Sequence, residues 1–227
     1  MTTYFISAID TDAGKTIATG LLGKQLKNQG RNVMTMKLAQ TGCLDVSEDI
    51  EVHRQIMQMP LSEDDRQGKT CPYIFKYAAS PHLSAAMENS QIEAQALIEA
   101  IRNCEQQHET VLVEGVGGLM VPLHEDFLVV DFVQQQELPV ILVVSGKLGS
   151  INHSLLSLEI MKNRGVNLFG VIYNHHPMTS ELITQDSAKT IRRFARQYFP
   201  KAHWAEMPFA GKNAEIDLTT ELEDWKL

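Results

Sequence analysis

The sequence predicts a three-layer α/β fold, with a mostly parallel central sheet flanked by helices. Two observations carry this. Apolar strand-like runs recur at residues 4–9, 33–37, 110–114, 140–145 and 168–174, and segments with helical periodicity separate them. Such alternation belongs to parallel strands joined by crossover helices. No repeat, low-complexity tract or linker interrupts residues 1–227, so one domain is expected.

The elements follow in order. After the first strand, a helix is expected over 15–28, with Gly30 as its stop signal, and residues 33–37 return as the second strand. Residues 42–90 are polar and broken by Pro60, Pro72 and Pro81, which suggests short helices and loops beside a site. Helices are expected over 91–107, 151–164 and 181–198, the second of these stopped by Gly165.

The chain has 227 residues, 44% hydrophobic and 21% charged, enough for one substantial core. A net charge of −8 argues against nucleic acid or an anionic membrane as partner, because both need a basic surface. The longest apolar stretch, 138–145, is too short to span a bilayer, and no signal peptide is evident, so a cytoplasmic protein is expected. Cys43, Cys71 and Cys104 form no Cys-x-x-Cys pair and read as buried, reduced thiols. Met34, Met36, Met57, Met59 and Met161 read as core or interface filler.

In open α/β sheets the ligand lies beyond the carboxyl ends of the strands. The first such end reads Ile9-Asp10-Thr11-Asp12-Ala13-Gly14-Lys15-Thr16 and runs into a helix. Backbone N–H groups there can cradle phosphates, Lys15 can reach the β/γ-phosphates, and the Thr16 hydroxyl can ligate Mg²⁺. Ile9 stands where the strict P-loop pattern has its first Gly, so the loop is P-loop-like and the fold P-loop NTPase-like.

Three further strand ends converge on the same crevice. Glu114 closes a Val-Leu-Val run and can hold Mg²⁺ or cap a loop, and Gly115, Gly117 and Gly118 after it allow close approach to a ligand. Lys37, with Thr41 and Gly42, can neutralise a transferring phosphoryl group or stand solvated. Asp49 is equally a second Mg²⁺ carboxylate or a helix-start charge. Asn174-His175-His176 ends the fourth strand; adjacent histidines there point to opposite sides, against a shared metal ion.

On these residues the chain resembles the dethiobiotin synthases. The resemblance rests on Asp10-Thr11 leading to Gly14-Lys15-Thr16, Lys37 with Thr41-Gly42, Ser80-Pro81-His82, the run 113–118, the run 138–144, and Lys147-Leu148-Gly149-Ser150-Ile151-Asn152-His153. Asn174 and Pro208 extend it, so it spans residues 1 to about 215 in order.

What the resemblance implies is an ATP-dependent cyclo-ligase of biotin biosynthesis, acting on 7,8-diaminopelargonic acid and CO₂ (or bicarbonate). One amine becomes a carbamate, ATP phosphorylates it to a carbamic-phosphoric anhydride, and the second amine closes the ring, giving dethiobiotin, ADP and phosphate. Lys15 and Lys37 would stabilise the transferring phosphate and carbamate, with Thr11 and Thr41 bonding diamine or carbamate. Thr16, Asp49 and Glu114 would arrange Mg²⁺. The nucleotide would lie on Asp12, Ala13, Gly14, Lys15, Thr16 and Ile17, on Gly115, Val116 and Gly117, and on Asn174, His175, Pro208, Phe209, Ala210 and Glu215. Gly117 and Gly118 would approach the diamine, and Leu148 and Asn152 would close its site across a homodimer interface.

The chain departs from the family pattern at Ala8-Ile9 (usually Gly-Thr), Asp12 (often Glu), Leu38 (usually Pro) and Thr41 (usually Ser). Two other readings share the fold. A nucleotide-switched scaffold ATPase would carry a second Lys five residues before Lys15, where Asp10 stands. A different ligase or amidotransferase would lack the set formed by Lys37, Thr41 and residues 147–153.

Overall fold

In a computed structural model the structure describes residues 1–177 and 180–208, together with Trp225 and Leu227. The strands are β1 (Thr2–Ala8), β2 (Val33–Lys37), β3 (Gln40–Thr41), β4 (Ile74–Phe75), β5 (Thr110–Gly118), β6 (Pro122–His124), β7 (Phe127–Leu128), β8 (Val140–Ser145), β9 (Leu168–Asn174) and β10 (His203–Met207). The helices are α1 (Lys15–Asn28), α2 (Glu48–Ile56), α3 (Glu63–Arg66), α4 (Pro81–Met87), α5 (Ala94–Glu105), α6 (Val129–Gln135), α7 (Ser150–Arg164) and α8 (Glu181–Tyr198).

Six strands form one sheet in the order β10-β9-β8-β1-β5-β2, and every pairing in it is parallel. The expected fold class therefore stands, with β10 as an added edge strand.

Side-chain alternation divides the sheet into two faces. On β1, Tyr4, Ile6 and Ala8 pack with Leu21, Leu22 and Leu26 of α1, while Phe5 faces the other way. On that second face, Leu97 and Ile101 of α5, Val129 and Val133 of α6, Leu158 and Met161 of α7, and Ile191 of α8 join the larger core. Two apolar cores on one sheet give the three layers.

The same alternation selects what faces α1. Leu112 and Val33 pack on the α1 side, so Glu114 and Lys37, an even number of residues further along β5 and β2, point there too. Lys37 and Glu114 are also register partners on neighbouring strands. A cation and an anion are thus built side by side at the carboxyl ends of the sheet.

The expected helices 15–28 and 181–198 match α1 and α8, and Gly30 and Gly165 both adopt positive φ after their helices. β5 runs on to Gly118, beyond the expected end at Glu114. Of the methionines, Met34, Met36, Met57 and Met161 are buried, and Met59 packs partly buried against the α1-side core. All three cysteines are free and buried. Burial pushes the Cys71 thiol up to about 12 and the Cys104 thiol to about 11.

Candidate active site

A crevice of about 880 Å³ opens at the carboxyl ends of β1, β2, β5 and β9. The loop after β1 forms its floor. Gly14 takes a left-handed φ of 99° and starts α1 with no side-chain cap. The first N–H groups of α1 therefore have no side chain to satisfy them and remain available to an anion. A Cβ at Gly14 would collide with the Asn174 amide, which donates to the Ala13 carbonyl at 3.0 Å and ties the loop to the end of β9. Asp12 also has positive φ, at 58°, so the loop bends sharply before the helix.

Lys15 is 7% exposed, and its Nζ reaches the Asp10 carbonyl at 3.3 Å. Burial first, and the neighbouring Lys37 charge second, lower its ammonium to about 8. Glu114, Asp49 and Asp12 favour the charged form but only partly offset that cost.

Next to it lies a compact polar cluster. The Thr16 hydroxyl lies 3.0 Å from both Asp49 Oδ1 and Glu114 Oε1. Lys37 Nζ donates to Glu114 Oε1 at 2.9 Å and also pairs with Asp49. Burial alone would push Lys37 down and Glu114 up; mutual attraction overcomes it in both. Lys37 ends raised, and the Lys37 charge with the His53 hydrogen bond holds Glu114 at about 2.

Helix α2 brings Asp49 here. Its N-terminus is fixed by Ser47, whose oxygen accepts from the Ile50 N–H at 3.3 Å and whose hydroxyl donates to Gln40 at 2.8 Å. Arg54 on the same helix makes a two-point ion pair with buried Asp65, at 2.9 and 2.7 Å, and donates to Thr35 Oγ1 at 2.6 Å. The helix is therefore fastened to α3 and β2 by buried charge-assisted bonds.

The structure brings most of the sequence-selected residues together. Thr11, Asp12, Gly14, Lys15, Thr16, Ile17, Lys37, Thr41, Asp49, Glu114, Val116, Gly117, Asn174 and Pro208 line the crevice. Ala13 takes part through its carbonyl, and Gly115 is packed against the Phe5 ring beneath it. Gly118 lies in an adjoining hollow with Thr11, Met120 and His153. Leu148 lines another with Asp12, His153 and His176, and Asn152 is exposed on α7. Phe209, Ala210 and Glu215 lie outside the described residues.

His175 is a correction: it does not line the crevice. Strand alternation carries it to the α8 side, against the Tyr173 ring, where its Nε2 pairs with Glu206 Oε2 at 2.7 Å. Its neighbour His176 takes the crevice position instead.

Ser80 and Pro81 line the crevice too, and Ala39, Gln40, Ala78, Ala79, Val121 and Met207, which the sequence does not single out, complete the lining, with His53 behind Glu114. Only His53 had a usable signal, its spacing of four from Asp49.

Comparison with known proteins decides the family. A family model described as "AAA domain" matches residues 2–210. The ATP-dependent dethiobiotin synthetase BioD 2 of Pasteurella multocida is 46% identical over 87% of this chain and 92% of its own length. The enzyme of the same name from Haemophilus influenzae is 51% identical over 76% and 91%. The ATP-dependent dethiobiotin synthetase BioD of Chlorobaculum tepidum is 40% identical over 92% and 88%.

The chain belongs to the dethiobiotin synthetase family.

With the family comes its activity, an ATP-dependent ligase that forms a C–N bond in biotin biosynthesis. Among solved structures, the MinC:MinD cell division complex of Aquifex aeolicus matches with a TM-score of 0.54 at 15% identity, covering 93% of this chain and 83% of that one. The cell division protein FtsY of Thermotoga maritima matches at 0.51 and 14%, covering 94% and 63%. At such identity these show the shared fold alone. No helix among the described residues is long and apolar enough to cross a membrane.

Proposed function

We propose that this chain, acting as one domain, converts 7,8-diaminopelargonic acid, CO₂ and ATP to dethiobiotin, ADP and phosphate in the cytoplasm. The observation that carries this is the juxtaposition of Lys37 with the phosphate loop. The buried Lys37, paired with Glu114, lines one crevice together with the loop's Lys15 and Thr16 and with Thr11 and Thr41.

The chain's residues perform binding and charge neutralisation. The uncapped start of α1 and Lys15 receive the β- and γ-phosphates. Lys37 would offset the charge that develops as a carbamate oxygen attacks the γ-phosphorus. Thr11 and Thr41 offer hydroxyls to the diamine or carbamate, and the Gly117-Gly118 backbone permits its close approach. Asn174 and Pro208 border the nucleoside end. No protein nucleophile is required, because the second amine of the substrate attacks the activated carbonyl.

Thr16, Asp49 and Glu114 bring three hard oxygen donors within hydrogen-bond distance, a set that fits Mg²⁺ held by one or two carboxylates plus nucleotide phosphates. When bound there, Mg²⁺ supplies neutralisation of phosphate charge.

A homodimer fits the exposed Leu148, at 79% relative exposure, with Asn152 nearby at the start of α7. That face adjoins the hollow holding Thr11 and Gly118, where a diamine chain would lie.

Purified protein incubated with the diamine, bicarbonate, Mg²⁺ and ATP will release ADP only when the diamine is present, and mass spectrometry will detect dethiobiotin. Absence of both products refutes the assignment.

A further inference from the structure

Glu114 is gripped at both of its oxygens. Thr16 and Lys37 take Oε1, the oxygen on the crevice side, at 3.0 and 2.9 Å. Oε2 meets the His53 ring Nε2 at 2.7 Å, and both side chains are 0% exposed. Glu114 faces the Lys37 ammonium as a carboxylate, whose oxygens only accept, so at 2.7 Å the His53 Nε2 carries the proton.

His53 itself gains little else there. Its Nδ1 is buried with no hydrogen-bond partner, so its polar contact among the described residues is with Glu114. It stands one turn after Asp49 on the same side of α2, and the Arg54 anchors hold that helix in place. One helix therefore delivers a carboxylate to the crevice and an imidazole to the back of a second carboxylate.

We propose that His53 is a positioning residue for the metal-nucleotide end of the site: by holding Oε2 of Glu114 from behind, it presents a single oxygen, Oε1, beside Thr16 and Asp49. This rests on the reading of those three residues as a divalent-cation set. A small octahedral cation is best served by one oxygen from each carboxylate, whereas a carboxylate free to turn offers both edges. Loss of the imidazole removes the donor to Oε2 where no solvent replaces it, and leaves the carboxylate held at Oε1 alone, by Thr16 and Lys37, free to turn about that point.

The test compares His53→Leu and His53→Gln, because the glutamine Nε2 can donate from a similar place. Mn²⁺ binding in the presence of ADP is followed by electron paramagnetic resonance, alongside Mg²⁺ titration of turnover and thermal melting. His53→Leu should bind Mn²⁺ about 10–100-fold more weakly and lose kcat by a similar factor, the usual range for a group that orients a metal ligand. KM for the diamine should stay unchanged, and His53→Gln should recover most of both losses.

Wild-type Mn²⁺ affinity in His53→Leu overturns the proposal. So does a His53→Gln variant that melts like wild type yet binds Mn²⁺ as weakly as the leucine variant. Should leucine fail to fold, the folded glutamine variant decides alone: near-wild-type Mn²⁺ affinity supports the proposal, a tenfold loss overturns it. If the wild type binds no Mn²⁺ with ADP, the cation reading has failed and takes this proposal with it, while dethiobiotin production would still stand on its own assay.

Discussion

Lys37 and Glu114 neutralise one another where water does not reach, and each depends on the other. Removing one partner of such a pair leaves an unpaired buried charge, at a typical cost of about 3–5 kcal/mol, whereas removing both charges can be nearly neutral. Lys37→Met should therefore abolish turnover and lower the melting temperature sharply. Adding Glu114→Gln should restore the melting temperature but not the turnover. A double-mutant cycle by thermal denaturation, with turnover measured in parallel, checks this.

The two lysines set different pH dependences. Lys15 titrates at about 8 in the nucleotide-free protein, against 10.5 for an ordinary lysine. A folded value below the unfolded one means that charging Lys15 costs stability below pH 8, and the cost fades as pH rises toward 10.5. Phosphate favours the charged form, so nucleotide affinity should decline above pH 8 and binding there should take up a proton. Titration calorimetry in buffers of different ionisation enthalpy will measure that uptake.

Glu114 behaves oppositely, with a folded value of about 2 below the ordinary 4.5. Its contribution is complete above pH 4.5 and is lost as pH falls toward 2, an acid limb that Glu114→Gln should flatten.

At the scale of elements, α2 decides whether the site assembles, and its entry hangs on Ser47. Ser47→Ala should cost about 1 kcal/mol for the lost cap, lowering the melting temperature by roughly 2–4 °C in a chain of this size. Because Asp49 and His53 ride on α2, the variant should also need more Mg²⁺ for half-maximal activity. A melting curve and a Mg²⁺ titration test both parts.

Legibility in the sequence varies with the element. α1 and α8 are long and punctuated, so their bounds are readable. α2 is hidden in a polar stretch broken by prolines, and only its start is marked, by Ser47 and the acidic first turn of Glu48, Asp49 and Glu51. α6, Val-Val-Asp-Phe-Val-Gln-Gln, is as apolar as a strand and too short for helical periodicity to speak. β10, at the sheet edge, mixes His, Trp and Glu because only one neighbour covers it.

Site residues at strand ends were legible because alternation and position fix where they point. The role of His53 behind them was not, since its partner Glu114 lies 61 residues away, and spacing from Asp49 marks only its side of α2. His175 shows the limit: the residue pair was visible, but which of the two faces the crevice depends on the phase of β9. Leu38 offers an account of one departure from the family pattern, since its N–H donates to the Glu114 carbonyl at 2.8 Å, a bond that proline cannot make.

For the whole molecule, a parallel sheet with cores on both faces leaves one rim on which strand ends can gather chemistry. The exposed Leu148 lies on that rim, at 79% relative exposure. If it meets a second copy there, sedimentation should give twice the 25.4 kDa chain mass. Leu148→Glu should shift the species to monomer and raise KM for the diamine more than KM for ATP; a monomeric wild type would exclude the interface.

The missing cap at Gly14 has a last consequence. Helix α1 starts without a side-chain cap, and in the proposed reaction a bound phosphate would supply what a serine or aspartate supplies elsewhere. Nucleotide would then cap the first turn: amide hydrogen exchange at Lys15, Thr16 and Ile17 should slow markedly when ATP is added, and the start of the chain's leading helix should tighten or fray with the ATP supply around it.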